Sequence, residues 1–122
     1  LFFTFWGLNI IRKEKAPRVT KSLMARMLSS MMPSSSRKLK LSKMHWAGMG
    51  TRMMRARMKG LNIDSLEDLI QQALGNGVTM TACQMSMDVM GLKAEELLDG
   101  VEVGGVASYL ESAEQSRTNL FV

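Results

Sequence analysis

The short run Val78-Thr79-Met80-Thr81-Ala82 leads into Cys83, the sole cysteine of the chain, and a polar, methionine-rich segment from Gln84 to Gly91 follows at once. Read as a buried strand, the run places Cys83 at its carboxyl end. Open α/β sheets hold ligands and reactive groups at that end, where loops leaving adjacent strands form a crevice. A strand of this kind needs parallel neighbours and crossover helices, and the flanking segments supply candidates for both.

Leu1-Phe2-Phe3-Thr4-Phe5 is apolar with β-favouring aromatics and reads as a strand buried on both faces. Trp6-Gly7 ends it, and Leu8 to Ile11 can begin a helical turn before the charged stretch 12–15 and Pro17. In the second half, Asp64 or Ser65 can cap a helix, with an acid three residues on. Leu66, Leu69, Ile70 and Ala73 give that helix one apolar face, and Gly75-Asn76-Gly77 closes it. Beyond Cys83, Lys93 to Leu98 reads as a short helix and Val101-Glu102-Val103 as a brief strand. Gly104-Gly105 then opens a helix to about Ala113, and Thr118 to Val122 reads as a last strand. Alternating strands and helices of these lengths predict βαβ units and a parallel sheet. At 122 residues the chain is expected to form a single domain, 1–122.

Residues 18–60 break the pattern. Nine of the 13 methionines lie between Met24 and Met58, interleaved with Lys and Arg. Met24, Met27, Leu28 and Met31 share one helical face, which predicts an amphipathic helix from about Lys21 to Met32. Pro33-Ser34-Ser35-Ser36 ends it, and a mobile loop over 34–50 is expected, with His45 and Trp46 at its surface. Met49, Met53, Met54 and Met58 form a second stripe, with Gly60 as its stop. Methionine stripes serve most often as adaptable core or subunit contact. Lying on an anionic membrane surface is the next reading, and nucleic acid is unlikely because stacking aromatics are scarce.

Charge is segregated along the chain. Residues 1–60 carry 14 of the 16 Lys and Arg and one acid, whereas residues 61–122 carry ten acids. Either the basic half meets an anionic partner or the two halves meet each other.

Cys83 is the candidate for chemistry. A thiol at a strand end facing the next helix is favoured as thiolate by unpaired N–H groups; the alternative is a buried cysteine acting as a small hydrophobe. Gln84, Ser86 and Asp88 follow it and suggest a strand end that opens to a pocket, although Asp88 also suits a cap of the next turn. Backbone amides at Gly104 and Gly105 could receive an anionic sulfur group, or simply form a tight turn. One cysteine permits no CxxC motif and no cysteine-based zinc site, and one histidine makes no metal site. Gly48-Met49-Gly50 lacks the third glycine of a dinucleotide fingerprint and no P-loop occurs, so no cofactor is expected. The lone cysteine suits a reducing compartment. Leu1 to Ile11 is too short to span a bilayer and lacks the features of a signal peptide.

Four stretches together resemble the DsrE/DsrF-like family, in its peroxiredoxin-like branch with a Met-rich insertion. They are Phe2 to Asn9, Lys43 to Met54, Ala82 to Gly91, and Gly100 to Ala107. The resemblance implies a flavodoxin-like parallel sheet, homo- or hetero-oligomers, and sulfur relay as a persulfide on the residue matching Cys83. The donor would be a rhodanese-like sulfurtransferase and the acceptor a small sulfur-carrying protein, in the cytoplasm or at a membrane surface. A non-catalytic assembly subunit with an inert Cys83 and a thiol peroxidase-like reductase are the alternatives. Family members begin with a further strand and helix, whereas this chain opens, without Met, at the second strand. That implies an N-terminally truncated domain with an interior strand missing, reduced stability and an aggregation-prone Leu1–Phe5 edge.

Overall fold

A computed structural model describes residues 1–40 and 48–120. Three strands, β1 (Phe2–Phe3), β2 (Met80–Cys83) and β3 (Val101–Gly104), form a parallel sheet in the order β1-β2-β3. Phe2 pairs with Thr81 and Phe3 with Ala82, while Met80 to Cys83 pair with Val101 to Gly104. The helices are α1 (Leu23–Met31), α2 (Met49–Gly60), α3 (Leu66–Gly75), α4 (Gln84–Met90) and α5 (Val106–Glu114). Short 3-10 helices cover Phe5–Ile11, Ser36–Lys38 and Ala94–Glu96. The mixed α/β architecture with a parallel sheet is the one expected of a flavodoxin-like fold.

The core lies under one face of the sheet. Met80 and Ala82 of β2 point into it, alternating with Thr81 as strand geometry requires. They meet Leu8 and Ile11 from the first 3-10 helix, Ile70 from α3, Met87 and Met90 from α4, and Leu92 and Leu97. On the other face α5 lies close over β2 and β3, with the Phe2 and Tyr109 rings 5.2 Å apart. Gly104 makes that approach possible: a Cβ there would stand 2.6 Å from Ser108 Oγ and 2.7 Å from Thr81 Cγ2.

Local chemistry sets the helix ends. Ser65 caps α3 in a capping box, its Oγ accepting from Asp68 N while Asp68 returns a carboxylate to Ser65 N. Ser22 caps α1 by accepting from Ala25 N. Gly91 closes α4 in the left-handed conformation at φ 66°. The apolar face read for α3 narrows to Ile70, with Ala73 and Leu74 packed against the core, because Leu66 and Leu69 are exposed.

Several expectations change. The strand over Leu1–Phe5 shrinks to two half-buried residues, because β1 is hydrogen-bonded on one side only and the chain coils into the 3-10 helix at Phe5. Leu1, Phe5 and Trp6 are exposed. Strands β1 and β2 pair directly with each other. The helix over Lys93–Leu98 is a single 3-10 turn. Thr118 to Leu120 form no strand, and Phe121 and Val122 lie outside the described residues. Of the 34–50 loop, Ser36–Lys38 forms a 3-10 turn and Met49 and Gly50 begin α2, while Leu41 to Ala47, with His45 and Trp46, lie outside the described residues.

Neither methionine stripe is core. Helix α1 contains no buried residue and rests on the body through Ala25 and Ser29, while Leu23, Met24, Met27 and Met31 face outward. Gly91, at the end of α4, leaves room for Ala25: a Cβ at Gly91 would stand 2.7 Å from Ala25 Cβ. On α2 the inner face is Thr51, Arg55 and Met58, spaced at helical intervals, and Met49 and Met53 point away.

Candidate functional site

The carboxyl ends of the three strands are level, since Cys83 pairs with Gly104 one position beyond the Phe3–Ala82 pair. Cys83 is both the last residue of β2 and the N-cap of α4. The strand therefore delivers the thiol to the first turn of a helix, as its position in the sequence predicts.

Cys83 is a free thiol, only 5% exposed. Burial raises its pKa, but the Ser86 hydroxyl and the amides of Ser86 and Met85 lower it by more, so the thiol lies below its ordinary value. The lowering comes through hydrogen bonding of the Ser86 hydroxyl and of the Ser86 and Met85 amides toward the sulfur, although none meets the full geometry of an N-cap bond. Ser86 is the N3 residue opposite the cap and is buried beside it.

The other expected site residues divide. Gln84 and Asp88 stand on the exposed side of α4, one turn apart, and the Gln84 side-chain amide donates to Asp88 Oδ1 at 2.9 Å. Asp88 therefore caps no following turn. Gly104 is the cross-strand neighbour of Cys83, and its missing side chain serves the α5 approach. Gly105 is the N-cap of α5, exposed, with open space where a Cβ would lie. Strand pairing and the first turn of α4 thus bring Cys83, Ser86 and Gly104 together, while Gln84 and Asp88 face solvent.

Two cavities lie elsewhere, and Cys83 lines neither. One of about 800 Å³ runs between α2 and the start of α3, with Met54, Met58, Ile63 and Leu66 among its walls. At its edge Arg55 donates to both carboxylate oxygens of Glu67 at 3.1 Å, and Ser36 Oγ donates to Glu67 at 2.6 Å. These bonds hold the Glu67 carboxyl down to about 2. No local motif marks this cluster; only the segregation of charge hinted at it. A smaller cavity of about 160 Å³ lies beside Arg12 and Ser35. Among the described residues no group of three His, Cys, Asp or Glu side chains is placed to hold a metal.

Part of the segregated charge meets inside the molecule. Arg12 and Lys21 both pair with Glu96, Lys13 with Asp99 and Arg55 with Glu67, so cations of the first half meet acids of the second. Arg12, Lys21 and Glu96 are all buried at the contact.

The sequence profile of the DsrE/DsrF/DrsH-like family matches residues 1–121. The chain belongs to this family. Two family relatives align over the whole chain. "Uncharacterized protein YrkE" of Bacillus subtilis (strain 168) is 45% identical over 122 residues, covering 76% of the relative. "Sulfur carrier protein DsrE2" of Allochromatium vinosum is 34% identical over 123 residues, covering 77% of that protein. The parallel sheet and the family membership agree. No helix among the described residues is long and apolar enough to cross a membrane.

Proposed function

We propose that this DsrE-family domain relays sulfane sulfur, carried as a persulfide on Cys83. The observation that carries the reading is the thiol at the strand end, shifted toward thiolate, in a family with a sulfur carrier among this chain's relatives. The Cys83 thiolate attacks the outer sulfur of a donor persulfide. A new S–S bond forms on Cys83, the donor S–S bond breaks, and the donor leaves as a thiolate. Transfer to an acceptor thiolate repeats the step in reverse, so no oxidant or reductant is consumed. Ser86 steadies the negative sulfur, and Gly104 and Gly105 supply backbone amides at the same edge. Gln84 and Asp88 lie on the outer side of α4, where a partner would meet the site. The donor is read as a rhodanese-like sulfurtransferase and the acceptor as a small carrier protein in the cytoplasm. The outward methionine faces of α1 and α2 are read first as contact between copies and second as contact with an anionic membrane surface.

One observation favours a second reading. At 5% exposure, Cys83 is nearly sealed, as an inert thiol in an assembly subunit would be. Incubation with thiosulfate or polysulfide followed by intact-mass measurement separates the two. A gain of one sulfur atom that vanishes in Cys83→Ser supports relay. A native thiol that takes up no sulfur and resists alkylation leaves the assembly reading.

A further inference from the structure

Helices α2 and α5 both turn apolar stripes to solvent, and the rims of the two stripes carry opposite charge. Helix α2 presents Thr51, Arg55 and Met58 to the body of the domain, which leaves Met49, Met53 and Ala56 pointing outward at i, i+4 and i+7. Arg52 and Arg57 flank this stripe, one on each side. Helix α5 is held to the sheet by the Tyr109 ring beside Phe2 and by Ser108 over Gly104. Val106 and Leu110, one turn apart, therefore face outward, with Glu111 and Glu114 beside them. Met49, Met53, Val106 and Leu110 are each more than half exposed. The stripes also lie on opposite sides of the sheet. Arg55 ties α2 to α3, which packs on the core face through Ile70, whereas α5 covers the other face.

The four charged groups on these rims take no part in the internal pairings. Among the described residues Arg52, Arg57, Glu111 and Glu114 make no side-chain hydrogen bond or ion pair, while Arg12, Lys13, Lys21 and Arg55 are matched to acids. The stripe spacing is the one with which helices seat on one another, and charge selects the pairing. Two α2 stripes laid together set arginine against arginine, and two α5 stripes set glutamate against glutamate. One of each brings opposite charges to the rim.

We propose that the α2 stripe of one copy docks on the α5 stripe of a second copy. This rests on the reading of the α2 methionine face as contact between copies, and names the surface that face meets. The adaptable methionines seat around Val106 and Leu110, and Arg52 and Arg57 face Glu111 and Glu114. Because the two stripes differ and lie on opposite sides, each copy offers one of each. The contact is heterologous, and association continues head to tail into a ring or an open chain.

Sedimentation of the intact chain over a range of concentrations tests the contact, and none of its readouts involves Cys83. The mass should rise with concentration, and association should weaken with added salt as the rim charges are screened. Met53→Asp on α2 and Leu110→Asp on α5 should each weaken association about tenfold or more, by placing an unpaired charge in an apolar contact. Both positions are exposed in the single copy, and unchanged far-ultraviolet dichroism checks that the variants fold. Mixed in equal amounts, the two variants should form a dimer and nothing larger, because each keeps the stripe that the other has lost. Should an aspartate variant not fold, Arg57→Glu and Glu111→Lys carry the comparison, each weakening association about threefold as rim charges do. Association that is lost in Met53→Asp but survives in Leu110→Asp, or a mixture that stays monomeric, overturns the α5 surface and leaves the methionine face to another contact. A chain that is monomeric throughout overturns both the contact and the reading of that face as one between copies. A monomer that binds phosphatidylglycerol vesicles, and loses them in Met53→Asp, gives the face to an anionic membrane surface instead.

Discussion

The Arg55 guanidinium grips the Glu67 carboxylate through two hydrogen bonds of 3.1 Å, joining α2 of the Met-rich region to α3 of the sheet domain. The bidentate geometry, with Ser36 as a third donor, fastens an otherwise outward-facing helix at one point.

That contact predicts a pH dependence. The Glu67 carboxyl falls from 4.5 to about 2 on folding, chiefly through its hydrogen bonds with Arg55 against a cost from burial. A depressed carboxyl contributes its stability above the unfolded value and loses it as pH falls through the folded one. The contribution should be complete above about pH 4.5 and fade toward pH 2. Urea midpoints measured across this range should fall more steeply for the unmutated protein than for Glu67→Gln. Parallel profiles would remove Glu67 as the cause.

Glu96 makes the second fastening. Its carboxylate faces Arg12 and Lys21 and accepts from Lys93 N at 2.9 Å, all in a buried setting. Removing one partner of a buried ion pair costs about 3–5 kcal/mol because the other charge is stranded. Glu96→Gln should therefore lower stability in chemical denaturation by an amount in that range and speed tryptic cleavage between Arg18 and Lys40. An exposed-site substitution such as Glu111→Gln should do neither.

Gly104 and Gly105 should respond in opposite ways to alanine. A methyl at 104 meets Ser108 Oγ and Thr81 Cγ2 inside 3 Å, so α5 must lift from the sheet. Overpacking of this kind costs about 1–3 kcal/mol. At 105 nothing lies within 4 Å and the backbone is extended, so Gly105→Ala should be close to neutral. Thermal midpoints of the two variants check the contrast.

At Cys83 the expected outcome concerns reactivity. Iodoacetamide modification should rise with pH about a midpoint below the ordinary thiol value, since the Ser86 and Met85 groups outweigh burial. Ser86→Ala should move that midpoint upward, and an unmoved midpoint would show that the hydroxyl has no part in holding the thiolate.

The sequence was most legible where a local signal is complete in itself. Ser65 and Asp68 sit three residues apart and form the capping box that their spacing predicts. The apolar spacing of Met24, Met27, Leu28 and Met31 marked a helix, and α1 forms there. Cys83 stands at a strand end because the apolar run before it is β2. The direction of the methionine stripes was not legible, because a hydrophobic face looks the same to the sequence whether it meets a core or faces outward. The inner face of α1, with Ala25 against Gly91 and Ser29 beside it, turns the methionines the other way. Likewise Leu1 to Phe5 has the composition of a doubly buried strand, but its neighbours set its burial, and it lies at an edge.

What the sequence determined by itself is the set of elements: capped helices, short strands, a sole thiol between strand and helix, and charge divided between two halves. These follow from interactions within a few residues or from counting. The tertiary structure decided which cations meet which acids and how far Cys83 is sealed. Each of these depends on groups more than ten residues apart in the chain or on the shape left between packed elements, and no local pattern encodes either.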